Sequence, residues 1–200
     1  MTRALEPSRA RLERARENIA ALAQEMATLT ANSEAAFDIG TQLRYPELRR
    51  PRKICISIGE IIYNLRAALD HLVWALAIRN GQRVTSRVGF PICDSIEQFK
   101  LVSQSGILKG VPRKFYPIIA SAQPYLAPDP GNSVLRVLED LAVADAHDGV
   151  AISFTRDPDS DAYFLAFDRV GGYDNAPILP VLEYLCKGAH GIVEAFEKCF

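Results

Sequence analysis

The sequence predicts an α+β protein, mainly α, with a helical core of about five helices and a few short antiparallel strands. Two observations lead there. Apolar residues recur at helical spacing over long stretches near both ends and in the middle of the chain. The β-rich runs are few and short, and helical stretches separate them.

The first element is the clearest. Across residues 8 to 31, Leu12, Ala15, Ile19, Leu22, Met26 and Leu29 alternate spacings of three and four, with Arg and Glu between them. This is an amphipathic helix that either docks on the core or forms the seam of a homodimer. From Ser33 the pattern changes. Phe37, Ile39, Thr41 and Leu43 alternate as a half-buried strand would, and Lys53 to Ile56 reads as a second short strand. Between them Arg44, Arg49, Arg50, Arg52 and Lys53 form a basic cluster, which reads as a solvated loop guarding a sheet edge or, with Tyr45 its lone aromatic, as a phosphate-binding patch.

Ser57 to Asn80 is the second strong helix, opened by a Ser57/Glu60 capping box and closed by Gly81. Ser95 with Gln98 caps a short helix, and Pro112 to Ala122 is helical with a bend or stop at Pro117. Pro124, Pro128 and Pro130 stiffen a connector, after which Asn132 or Ser133 caps a helix to about Ala146. Val150–Thr155 and Tyr163–Asp168 flank the turn sequence Asp157–Asp161, which predicts a hairpin. Asn175 and Pro177 open a last helix whose buried stripe is Leu182, Cys186, Ala189, Val193 and Phe196.

Composition bounds the function. The chain has 200 residues, 48% of them hydrophobic and 24% charged, and carries a net charge of −1. That suits a single domain spanning residues 1–200. The near-neutral balance supplies no field for nucleic acid, so nucleic acid is not an expected partner. Cys55, Cys93, Cys186 and Cys199 are scattered without a CxxC pair and read as reduced cytoplasmic thiols. The Arg- and Glu-rich start lacks a signal-peptide core, and no run approaches the ~20 apolar residues of a membrane span. No Walker A loop, GxGxxG or GxSxG motif occurs.

One helix concentrates the chemistry. At about 100° per residue, Ile61, Ile62, Leu65, Ala68, Leu69, Leu72, Val73 and Leu76 share a broad apolar face. Glu60, Asn64 and His71 fall opposite, with Ala67, Ala75 and Ile78; Tyr63 and Trp74 flank them, and Arg66 and Asp70 form an i,i+4 pair beyond. Large aromatics and small alanines mark a second packed surface, where polar groups need partners. In the helix from Ser133, Asp145 continues the stripe Val134, Leu138, Leu141, where an apolar residue belongs, and His147 follows. Brought together, Glu60, Asn64, His71, Asp145 and His147 are candidate catalytic residues for general acid–base chemistry or ligands for a divalent metal. Their spacing names no particular metal or cofactor. The plainer reading is a hydrogen-bonded network in a non-catalytic protein that binds a small molecule, a protein partner or a second copy of itself.

The stretch from Gly59-Glu60 through Asn64-Leu65-Arg66-Ala67-Ala68-Leu69-Asp70-His71-Leu72 resembles the signature of a family of uncharacterised bacterial proteins. The same resemblance includes the loop Phe90-Pro91-Ile92 and the motif Asp145-Ala146-His147-Asp148. It covers residues 57 to 147 and implies kinship without a settled activity. In the last motif the acid and the imidazole are kept and two basic residues are replaced, which argues against anion binding there. Separately, Arg66-x4-His71 is similar to the Arg-x4–6-His motif of HEPN-type ribonucleases, which are helical and often dimeric. That resemblance implies Arg66 and His71 acting at a scissile phosphate. On a regular helix, however, the two lie about 140° apart.

Overall fold

The computed structural model describes residues 2–34, 52–148, 150, 152–156, 163–167, 173 and 175–199. These are mainly helical, as the periodicity predicts. A 3₁₀ turn, Thr2–Leu5, leads into α1, Glu6–Glu34. There follow α2 (Arg52–Arg79), α3 (Ile96–Gln104), α4 (Tyr116–Ser121), α5 (Val134–Asp148), strands β1 (Ile152–Arg156) and β2 (Tyr163–Phe167), and α6 (Ile178–Glu197). The expected strand at residues 37–43, the basic cluster up to Arg50 and the turn at residues 157–161 lie outside the described residues.

α2 is the axis of the core. Ile54, Ile58, Ile61, Leu65, Leu69, Leu72 and Leu76 are essentially inaccessible, and α1, α5 and α6 all pack on this helix. Truncating any one of them to Ala would cost about 2–5 kcal/mol. The helix begins earlier than the sequence pattern suggests. Lys53 to Ile56 forms its first turn, not a strand, because Ile54 and Ile58 lie one turn apart and are buried on the same face. Ser57 and Glu60 therefore stand inside the helix and form no capping box. The far end behaves as predicted: Gly81 has φ +74° and its N–H bonds the Ile78 carbonyl at 2.9 Å, a left-handed helix stop. By length and composition Lys53–Arg79 does qualify as a membrane span, contrary to the sequence expectation; in this fold 61% of its apolar window is buried inside the protein.

The stripe on α1 is spent inside the chain. Leu12, Ala15, Ile19, Leu22 and Met26 are buried where α1 packs on α2 and α6. Of the two readings of that stripe, this is the docking one. The apolar face of α2 is too broad for one neighbour, and α1 covers what α5 and α6 leave.

The smaller elements follow their local chemistry. Ser95 Oγ accepts the Gln98 N–H at 3.1 Å and starts α3. Pro117 lies in the first turn of α4, where its missing N–H costs nothing, and so neither bends nor ends a helix. Ser133 Oγ accepts the Arg136 N–H at 3.4 Å at the start of α5. β1 and β2 pair antiparallel, from Ile152 opposite Phe167 to Arg156 opposite Tyr163. β2 is tied to the start of α6 by Phe167 N–H to Ala176 O at 3.0 Å and Asn175 N–H to Phe167 O at 2.9 Å. All five residues expected on the buried stripe of α6 are buried.

Candidate functional site

The polar side chains of α2 point at backbone. Arg66, Asp70 and Trp74 stand at i, i+4 and i+8, one above another. Arg66 Nη2 donates to the Phe90 carbonyl at 2.8 Å, Asp70 Oδ1 accepts the Phe90 N–H at 2.8 Å, and Trp74 Nε1 donates to the Val88 carbonyl at 2.5 Å. Gln123, itself buried, holds the same segment from the other side. Its Oε1 accepts the Cys93 N–H at 2.8 Å, and its Nε2 donates to Pro91 O and Ile119 O at 3.0 Å each. The segment 88–93 has no regular partner strand; these side chains satisfy the Phe90 and Cys93 N–H groups and the Val88, Phe90 and Pro91 carbonyls, while the Val88 and Gly89 N–H groups bond the Thr85 and Ile107 carbonyls. Arg66 and Asp70, 3.9 Å apart, are thus more than the exposed ion pair their spacing suggests.

The four candidates whose side chains are described, Glu60, Asn64, His71 and Asp145, do not come together at one point. The Asn64 amide is buried; its Nδ2 donates to the Glu60 carbonyl at 2.7 Å, and its Oδ1 accepts from Arg11 Nη1 at 3.0 Å. Arg11 reaches across from α1 and also lies 5.5 Å over the Tyr63 ring. The Glu60 residue is exposed. His71 packs edge-on against Trp74, with ring centroids 4.9 Å apart. Burial holds the His71 imidazole below its ordinary pKa, the Arg11 charge adds to this, and Asp70 opposes it. The Asp145 carboxylate lies against Gly59: a Cβ there would sit 2.7 Å from Asp145 Oδ1. Gly59 is twelve residues before His71, about 18 Å along the helix. Asp145 is half-buried and does not enter the core its stripe position suggests. His147 falls within α5, and its side chain is outside the described residues. Among the described residues no group of three or more His, Cys, Asp and Glu could hold a metal ion. Nor does any hydrogen bond or ion pair among them join Arg66 to His71; Arg66 is engaged by Phe90, His71 by Trp74.

A concave surface lies elsewhere, between the first and last helices. α1 and α6 run antiparallel, pinned at one end by Arg9 Nε to Glu197 Oε1 at 2.7 Å. Between them opens a groove of about 610 Å³. Ile19, Ala20 and Ala23 form its α1 wall, and Cys186, His190 and Gly191 its α6 wall, with charges at the rim. His190 Nε2 lies 3.3 Å from Glu194 Oε1, while its Nδ1 is buried without a hydrogen-bond partner. Cys186, His190 and Glu194 follow each other at four-residue steps on α6. Burial pushes the Cys186 thiol up, against a smaller pull from Arg16, so it stays protonated near neutral pH and is a poor nucleophile.

The chain matches no protein-family model, no curated protein and no solved structure.

Two glycines on α6 distinguish packing from vacancy. A Cβ on Gly188 would lie 2.3 Å from Val134 Cγ2, so α5 requires a glycine there. A Cβ on Gly191 would meet nothing within 4 Å. A mid-helix Gly costs roughly 0.5–1 kcal/mol relative to Ala. At Gly191 no contact within the described chain accounts for that cost. Sequence reading passes over the groove residues because its walls are ordinary alanines, a glycine and surface charges on two helices far apart in the chain. The two glycines in the last helix are the one signal that could have drawn attention to it.

Proposed function

We propose that this chain is a non-catalytic, self-associating binding protein of the cytoplasm. We assign it to the α+β class, mainly α, with the β1–β2 hairpin as its β part. The observation that carries the functional reading is the use made of α2. The side chains best suited to chemistry, Asn64, Arg66, Asp70 and Trp74, are engaged in fastening α1 and the segment 88–93. A buried polar network of this kind contributes specificity and rigidity to a fold and leaves few groups free for a substrate.

Three features support the remaining terms. The groove between α1 and α6 is open and largely apolar on its walls, which favours binding. The net charge of −1 offers no field for nucleic acid. The four cysteines are free, as reduced thiols are in a cytoplasm. The reading rests on α2 as the core helix of a protein that does not insert into a bilayer.

Sedimentation equilibrium across micromolar to several-hundred-micromolar protein tests the proposal. A reversible monomer–dimer equilibrium is expected. A single monomeric species over the whole range would refute self-association.

A further inference from the structure

The charge pattern along the exposed ridge of α6 has a property that surface composition alone does not require. The ridge carries Glu183, Lys187, Gly191, Glu194 and Lys198, all exposed. Lys187 and Glu194 stand at equal distances either side of a point between His190 and Gly191. Glu183 and Lys198 stand at equal distances from the same point. Each pair is opposite in sign.

We infer that a second copy of this chain docks on this ridge, its α6 antiparallel to the first, with the twofold axis at Gly191. The inference deepens the self-association proposed above and rests on it. In an isologous twofold contact, residue i meets residue j and residue j meets residue i. An antiparallel crossing at Gly191 places Lys187 opposite Glu194 of the second copy and Glu183 opposite Lys198, each twice. A parallel arrangement sets Glu183, Lys187, Glu194 and Lys198 each against its own copy and is repelled at all four positions.

Three further observations bear on the choice of occupant. Within the described residues Glu183, Lys187 and Lys198 make no ion pair, although Glu183–Lys187 and Glu194–Lys198 have the spacing for one; Glu194 meets His190. The charges of Glu183, Lys187 and Lys198 are therefore available to an incoming helix, and among the described residues Glu194 carries a single polar side-chain contact, to His190. The crossing point falls at the position where a missing side chain leaves open space, which lets two backbones approach closely. Beside it, Ala20 and Ala23 on α1 leave room in the groove for the partner's ridge. The assembly is a four-helix layer formed by two α1–α6 pairs.

A charge-swap experiment on the full-length chain decides. Lys187→Glu and Glu194→Lys are each made alone, and each alone places like charges together twice. The sites are exposed, so folding is expected to be unaffected and is checked by circular dichroism. Each single variant is expected to weaken dimerisation on the order of tenfold or more. Mixing the two single variants restores opposite charges at both contacts and is expected to yield a heterodimer. Gly191→Leu, which fills the crossing point, is expected to be monomeric. A wild-type dimer that both single variants leave unchanged would overturn this interface while self-association stands. Wild-type protein monomeric at several hundred micromolar would overturn both.

Discussion

The same substitution at two positions three residues apart on α6 should act with opposite sign. Replacing Gly by Ala in a helix interior restores roughly 0.5–1 kcal/mol through reduced backbone entropy in the unfolded chain. At Gly191 nothing lies within 4 Å of the added Cβ, so that gain is realised in full. At Gly188 the added Cβ would approach Val134 Cγ2 to 2.3 Å, Cγ1 to 2.6 Å and Cβ to 2.9 Å. Val134 is β-branched and sits in the first turn of α5, so no rotation clears all three atoms. Relief requires α5 and α6 to separate, and overpacking of this kind costs about 1–3 kcal/mol. After the propensity gain, Gly188→Ala is expected to lose about 1–2 kcal/mol, while Gly191→Ala gains up to ~1 kcal/mol. In a chain of this length the difference corresponds to roughly 3–12 °C in Tm. Thermal and urea unfolding at low protein concentration, where association adds no mass-action term, measures both. Equal stabilities for the two variants would refute the argument that Gly188 serves packing and Gly191 does not.

The fastening of segment 88–93 makes further predictions. Asp70→Ala leaves the Phe90 N–H without its acceptor and is expected to cost ~2–3 kcal/mol in urea unfolding, because the bond is charge-assisted and Phe90 is buried. Asp70→Asn keeps an acceptor oxygen and should cost less; a loss below about 0.5 kcal/mol for Ala would contradict the assigned role. Gln123→Met conserves shape but strands one N–H and two carbonyls, so a loss of about 3 kcal/mol or more is expected, with faster hydrogen exchange at the Cys93 amide. An unchanged exchange rate there would show that Gln123 does not hold the segment.

His71 predicts a pH dependence. Its folded pKa is held below the ordinary value of 6.5, so the unfolded chain binds the proton more readily. Its contribution to stability is therefore present above that value and is lost as pH falls through the folded pKa. Unfolding measured from neutral to mildly acidic pH should show this decline in wild type, reduced in His71→Gln. Identical slopes would assign the acid sensitivity to other groups.

Residues from three separate stretches meet one another in space. Gly59 seats Asp145, and Arg66 and Asp70 grip Phe90. Three separate stretches of chain are thus joined at two contacts, both made at α2.

The helical character of the chain was legible in its sequence because burial on one side imposes a 3.6-residue period. The α1 stripe, the ends of α2 at Gly81 and of α3 at Ser95, the hairpin and the buried stripe of α6 all follow from local pattern and capping chemistry. Where two local signals compete, pattern alone fails. The β-branched Ile54 and Ile56 read as strand, yet the apolar face of α2 extends back through Ile54 and draws that turn into the helix. Pairings between elements were not legible at all. A sequence shows that Asn64, Arg66 and Asp70 need partners, since buried polar groups must be satisfied. It does not show that those partners are Arg11 and the backbone of Phe90, because hydrogen-bond partners are chosen by proximity in three dimensions. For the same reason only the tertiary structure separates Asp145 from His71, and only it opens a groove between the first and last of the chain's helical stripes. Periodicity is a property of one helix; a site is a property of how several are placed.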